Sequence, residues 1–292
     1  IDIGSNDATL LRALRTPGLV KAGVDPTAEK FRGFYPDDVV LVPGFFSRDR
    51  IAAALGRHCR ASLITSIAMF YDLESPRAFV QDVRSCLAED GLWHFEQSYM
   101  PSMLRLTSYD TICHEHLEYY SFTVIRNMLE AEGMKVVDVW MNNVNGGSFA
   151  VTAATRESHY REATAVCGWL MQRESHLGLN TPLAYRELER RAWQHREELR
   201  GLIDALNRSG KRVVGCGAST KGNVILQLCG LGPEQLLAIG DVNEDKWGRF
   251  TPGSGIPIVS EQEARDLDPD YMLVLPWHFK DGIVRREQAF LD

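Results

Sequence analysis

The sequence predicts an α/β protein in three parts: a parallel, doubly wound sheet over residues 1–155, a helical bridge over 156–208, and a smaller α/β domain over 209–292. Three observations carry this. Apolar runs of strand length alternate with helical periods through the first half. A glycine turn joins a strand to a helix twice, at IDIGSND and at VVGCGASTKGN. Between them, residues 157–207 are rich in Glu, Arg, Gln, Leu and Ala and read as helices broken near Gly178–Pro182.

Taken in order, Ile1–Gly4 reads as the end of a strand and Ala8–Leu14 as a helix capped by Asn6 or Asp7. Such a corner can hold a nucleotide, although only Gly4 of a G-x-G-x-x-G pattern is present. Leu19–Asp25 is a strand ending in an acid about 20 residues after the glycine, where a ribose-binding carboxylate belongs; a plain turn at Asp25–Pro26 is the alternative. Val39–Phe46 and Ala61–Phe70 give the next strands with their outlets. Ser75 caps a helix with Pro76 in its first turn and Gly91 as its stop. Gly91–Tyr99, Lys135–Asn143 and Gly146–Thr155 are strands, the last in the manner of an edge or antiparallel strand, and Thr123–Gly133 is a helix.

Ligands of such sheets lie beyond the carboxyl ends of the strands. Those ends carry Gly4, Asp25, Phe45, Ser66 and Glu96, with Tyr99 just beyond. Phe45 and Phe46 suit either stacking on an adenine or core packing. The stretch Tyr109–Ser121, YDTICHEHLEYYS, follows the fifth strand, so the same edge is expected to carry it. It holds two histidines, three acids, a cysteine and three tyrosines. Unpaired ionisable groups are costly to bury, so this is no core strand. It reads as a polar loop or as an acid/base site, with His116 taking a proton and Glu115 orienting or charging it. Cys113, His114 and His116 are also conceivable metal ligands. No second cluster matches them, and Glu118 stands where HExxH needs its second histidine, so no metal is expected.

In the bridge, Trp169 and Trp193 are expected on apolar faces, and YRELERRAWQHREELRGLIDAL reads as one solvated amphipathic helix. In Lys211–Asn223, Gly217 and Gly222 have Walker separation, but Asn223 replaces the lysine, so the turn is Rossmann-like. Lys221 there is either a phosphate ligand or a solvated lysine. A strand ends at Asp241, IPIV is a short strand, and Asp270–Phe279 is a buried strand whose outlet bears Trp277 and His278.

At 292 residues, 45% hydrophobic and 24% charged, the chain has the composition of a soluble globular protein. Its formal charge of −7 speaks against nucleic acid held on a basic surface. No apolar run approaches the ~20 residues that span a bilayer. Six scattered cysteines without CxxC fit reduced thiols in a cytoplasm. The ends, IDIGSND and FLD, read as cut from a longer chain.

IDIGSND, GVDPT, CHEHLEYYS, NGGSFAV, GCGASTKGN and LPWHF occur in this order. Together they resemble the S-adenosylmethionine-dependent C-methyltransferases of deoxysugar pathways, which methylate C3 of a nucleotide-linked 4-keto sugar. The resemblance spans essentially the whole chain and is most specific at CHEHLEYYS and GASTKGN. It implies a class I methyltransferase sheet with a Rossmann-like substrate domain behind it. S-adenosylmethionine would be held by Gly4, Ser5, Asn6, Asp25, Phe45, Phe46, Ser66 and Ile67. His116 would remove the proton next to the ketone, with Glu115 and His114 beside it. The small-molecule substrate, a nucleotide sugar, would meet Glu96, Tyr99, Cys113, Asn145, Gly146, Gly147, Trp277 and His278, with Lys221 near its phosphates. The chain departs from the family at Cys113, where a tyrosine is usual, and at Asp72, where a histidine is frequent. No counterpart of the family's zinc-binding N-terminal lobe, with its CxxC pairs, is read within these 292 residues. These departures leave the cofactor expectation standing and open the acceptor: a related sugar, another ketone or methylation on oxygen; a separate alternative is an NAD-dependent nucleotide-sugar oxidoreductase or epimerase.

Overall fold

The computed structural model describes residues 1–291 and divides into two compact units: Ile1–Ser102 with Leu117–Asn180, and Met103–His116 with the chain from Thr181 onward. In the first unit, β1 (Asp2–Ile3), α1 (Thr9–Ala13), β2 (Lys21–Asp25), β3 (Val39–Pro43), α2 (Arg48–Leu55), β4 (Ala61–Ile67), α3 (Pro76–Cys86) and β5 (Leu87–Ser98) alternate. α4 (Met100–Leu106) begins in this unit and ends in the second. α5 (Phe122–Ala131), β6 (Met134–Asn142), β7 (Ser148–Thr155) and α6 (Thr164–His176) complete it. The strand order is β3-β2-β1-β4-β5-β7-β6, with β1 to β5 parallel and β7 antiparallel to both its neighbours. The chain leaves β1 toward β2 on one side and resumes with β4 on the other. That reversal opens a crevice beyond the strand ends.

The core follows from the pattern of the elements. Phe79, Val80, Val83 and Cys86 recur at helical spacing on α3 and are all buried. Phe70, Trp93, Phe95, Phe122 and Phe149 join them, with Trp93 and Phe95 stacked at 4.2 Å. α5 is capped by Ser121, whose side chain accepts from the Val124 N–H.

Several local expectations are corrected. The sheet is not wholly parallel: β7 is antiparallel, one of the two readings its alternation gave, but it is interior and not an edge, leaving β6 there. Gly91 does not stop a helix. α3 ends at Cys86, and Gly91 lies in β5 at an irregular register, where a β-carbon would stand 2.6 Å from the Ala61 carbonyl oxygen. Ser75 occupies the N-cap of α3 without a side-chain bond, and Ala8, at φ 60°, holds the N-cap of α1, while Asp7 accepts the Thr9 N–H. Trp169 and Trp193 are half exposed, each under a guanidinium, Arg173 at 4.9 Å and Arg196 at 5.4 Å. Cys167 and Leu170 bury the face of α6 instead, because an indole under a cation is stable at a wet surface.

The second unit contains α7 (Pro182–Arg208), β8 (Val213–Cys216), α8 (Thr220–Cys229), β9 (Ile239–Asp241), β10 (Ile258–Ser260), α9 (Glu261–Asp266) and β11 (Tyr271–Val274). Its parallel sheet runs β10-β9-β8-β11. β11 is therefore an edge strand, not a buried one, and Tyr271 on it is exposed. Tyr109, from the inserted segment 103–116, is part of this unit's core beside Ile203, Leu226 and Leu275. No helix among the described residues is long and apolar enough to cross a membrane.

Candidate active site

In the first unit the chain turns at Gly4, φ 74°, whose N–H donates to the Val24 carbonyl at 2.8 Å. Asn6 follows, also at positive φ, and its N–H donates to Asp25 Oδ2 at 3.0 Å. Asp25 Oδ1 accepts from the Thr27 N–H at 2.6 Å and the Thr27 hydroxyl at 2.7 Å. The carboxylate thus ties the end of β2 to the loop after β1. Beyond it lies a cavity of about 770 Å³, whose lining includes Gly4, Asn6, Asp25, Phe45, Phe46 and Ile67. The volume is that of a cofactor-sized site. The two phenylalanines part company: Phe45 is 78% exposed, whereas Phe46 packs on Phe79 at 5.3 Å.

Ser5 and Ser66 do not line this cavity. Ser5 Oγ pairs with the Tyr35 hydroxyl at 2.8 Å, and Ser66, fully buried, accepts from the Trp93 indole at 3.0 Å. Residues the sequence left unnoticed do line it: Lys30 and Phe31, with the ammonium 5.6 Å from the ring centroid, and Met69. Their only signal was their place just after Asp25–Pro26 and after β4. Asp2 is buried below, where burial pushes its carboxyl up and the Thr65 hydroxyl donates to it at 2.6 Å.

The other first-unit residues are engaged within the fold. Glu96 Oε2 accepts from Asn142 Nδ2 at 2.8 Å. The buried Tyr99 hydroxyl donates to Glu174 Oε1 at 2.8 Å, and burial pushes the phenol well up. Glu174 also accepts from the Phe122 and Thr123 N–H groups and the Thr123 hydroxyl, which locks Tyr99 as a strut. Asn145, Gly146 and Gly147 form the β6–β7 turn at φ 52°, 88° and 123°, and a β-carbon on Gly147 would stand 2.6 Å from Ser102 Cβ.

The second unit gathers a different set. His116 Nδ1 donates to the Thr111 carbonyl at 2.9 Å, which fixes the proton there and gives the basic lone pair to Nε2. Burial, with the charge of Lys221 adding to it, lowers the pKa of this imidazole below its usual value, despite the opposing Thr111 bond and Glu115 charge. The orienting partner is thus the Thr111 carbonyl and not Glu115. Glu115 and His114 are exposed and lie 3.9 Å from each other. Around Lys221, in the first turn of α8, stand Asp110, Cys113, His116 and His278. Burial lowers the pKa of Lys221, and burial and then the Lys221 charge lower that of His278. The Trp277 indole donates to Asp110 Oδ2 at 2.9 Å. Both also line a cavity of about 460 Å³ with Ser108, Tyr109, Arg191 and His195. There Tyr109 and His195 hydrogen-bond at 2.9 Å, a pair that the charge pattern of α7 did not signal.

The second glycine corner is filled by the chain itself. Asp241 Oδ2 accepts the Ala218 N–H at 2.7 Å, and Lys246 Nζ donates to Asp241 at 3.2 Å and to the Ala218 carbonyl at 2.8 Å. Lys246 occupies the place beside this acid, which speaks against NAD there. Among the described residues no cluster of His, Cys, Asp and Glu is arranged to hold a metal.

The strand order, with a cavity over its reversal, is that of the S-adenosylmethionine-dependent methyltransferase fold. A profile of the methyltransferase domain matches residues 1–139, and one of the C-methyltransferase C-terminal domain matches residues 143–292. The chain belongs to the C-methyltransferase family. It is 33% identical over 293 residues to the C-methyltransferase NovU of Streptomyces niveus, an alignment covering 100% of this chain and 69% of that protein. Among solved structures, it is similar to the mitomycin 7-O-methyltransferase MmcR, at TM-score 0.41, 16% identity, and 53% and 48% of the two chains. It is also similar to an S-adenosylmethionine-dependent methyltransferase from Mesorhizobium loti, at TM-score 0.41, 13% identity, and 52% and 88% coverage.

Proposed function

We propose that the methyl acceptor is a nucleotide-linked keto sugar and that His116 removes the proton from the carbon next to its ketone. The supporting observation is the bond from His116 Nδ1 to the Thr111 carbonyl. It presents one tautomer, with Nε2 as the base, and the lowered pKa keeps the ring neutral at neutral pH. S-adenosylmethionine supplies an electrophilic methyl group, so the chain's own task is to make a carbanion and align it. Asp25 and the turn at Gly4 would hold the cofactor's ribose and methionine ends, and Phe45 its adenine. The second unit's α/β sheet would hold the sugar nucleotide. The cytoplasmic setting expected from the unpaired cysteines belongs to the same proposal.

His116→Gln is expected to lower turnover by about a thousandfold while S-adenosylmethionine affinity by calorimetry stays within about twofold. Unimpaired turnover would remove His116 as the base. Because only the neutral ring accepts a proton and its pKa is depressed, native turnover should rise with pH through a midpoint below 6.5 and be flat near neutrality. A midpoint above that value would contradict the reading.

A further inference from the structure

We propose that Lys221 is a catalytic cation: its ammonium faces the ketone oxygen on which negative charge develops as His116 takes the proton. This rests on the enolate reading above and assigns the lysine to the reacting ketone instead of the phosphates.

The chemistry sets the requirement. The C–H electron pair becomes the carbon–carbon π bond, the carbonyl π pair moves onto oxygen, and the proton passes to His116 Nε2. The oxygen is bonded to the carbon adjacent to the one losing its proton, so a cation that stabilises the enolate must stand beside the base. Lys221 is the cation whose charge acts on His116. It is partly buried, in the first turn of α8, and α8 packs on the turn Tyr109–Thr111 that leads to the histidine. Ser219 fixes that helical turn by accepting the Gly222 N–H at 2.9 Å.

The surroundings suit a charge that appears only during reaction. None of the described residues forms a hydrogen bond or ion pair with the Lys221 ammonium, although a partly buried cation ordinarily has one. Asp110, 3% exposed and held by the Trp277 indole, acts on Lys221 through its field alone. With Asp110 opposing Lys221, and His116 and His278 neutral, the cluster is close to electroneutral. A diphosphate would call for a surplus of positive charge, whereas a transient enolate calls for one cation at one oxygen.

The test separates enolisation from nucleotide binding. Thymidine diphospho-4-keto-6-deoxyglucose is incubated with the chain in deuterium oxide, with S-adenosylhomocysteine present, and deuterium entering beside the ketone is followed by NMR. Lys221→Met should slow this exchange at saturating substrate by about a hundredfold or more. Its affinity for thymidine diphosphate should change less than about threefold, and Lys221→Arg should restore part of the exchange by returning the charge. If Lys221→Met exchanges at the native rate, or loses more than about tenfold in thymidine diphosphate affinity, the lysine serves elsewhere and the assignment is overturned. Absence of exchange in the native chain would instead overturn the enolate reading itself, and the lysine's role with it.

Discussion

The two glycine corners share a strand–glycine–loop–helix layout and are opposites in use. Each follows a strand with a glycine at positive φ, Gly4 or Gly217, and each takes a loop N–H onto an acid at the end of the next strand, Asp25 or Asp241. At the first corner the remaining space is a cavity. At the second, Lys246 fills it, bonding both the acid and the loop carbonyl. A strand–glycine–helix turn is thus only a place where a ligand can sit. Whether one does is decided by a residue outside the motif, here a lysine five positions after the acid.

The largest effect expected from that contrast is at the acids. Asp25→Ala should weaken S-adenosylmethionine binding by about a hundredfold, because the loop that frames the cavity loses the acceptor for three donors. Asp241→Ala should leave that affinity within about twofold yet cost about 2 kcal/mol in denaturant unfolding, since Lys246 and the Ala218 N–H lose their partner. Equal effects of the two on binding would erase the distinction. Next come the glycines. Gly217→Ala should cost about 2–3 kcal/mol, because its β-carbon would stand 2.7 Å from the Pro276 ring as well as straining the backbone. Gly4→Ala should cost about 1 kcal/mol, since Met69 Cγ, at 3.3 Å, can give way. A larger loss at Gly4 would mean that the open corner is the tighter one. The smallest effect sharpens the cavity itself. Phe45→Ala should weaken S-adenosylmethionine about three- to tenfold with the melting temperature unchanged. Phe46→Ala should instead lower stability by about 2 kcal/mol through its contact with Phe79.

Much of the fold was legible because the strands of a buried sheet are short apolar runs and the helices carry one apolar face. The errors fall where the local signal is the same for two outcomes. An alternating strand such as β7 reads alike at an edge or inside. A glycine such as Gly91 marks a helix end or a close backbone approach equally well. At the site, Gly4, Asn6, Asp25, Phe45, Phe46 and Ile67 meet at one cavity, as their strand ends predict. Ser5, Ser66 and Tyr99 do not line that cavity, because neighbours distant in sequence, Tyr35, Trp93 and Glu174, claim their hydroxyls. The histidine block reads as three adjacent ionisable side chains. Only the backbone turn at Thr111 separates His116, half-buried and oriented, from His114 and Glu115 in solvent.

The segment 103–116 is spelled in the first half of the chain but folded into the second unit. It supplies Asp110 to Trp277 and Tyr109 to His195. A chimera that trades only the stretch from Thr181 onward between relatives would therefore draw the two members of each pair from different proteins. These fourteen residues travel with the C-terminal part, and a break placed at the 180/181 junction alone divides a module that the sequence does not show to be one.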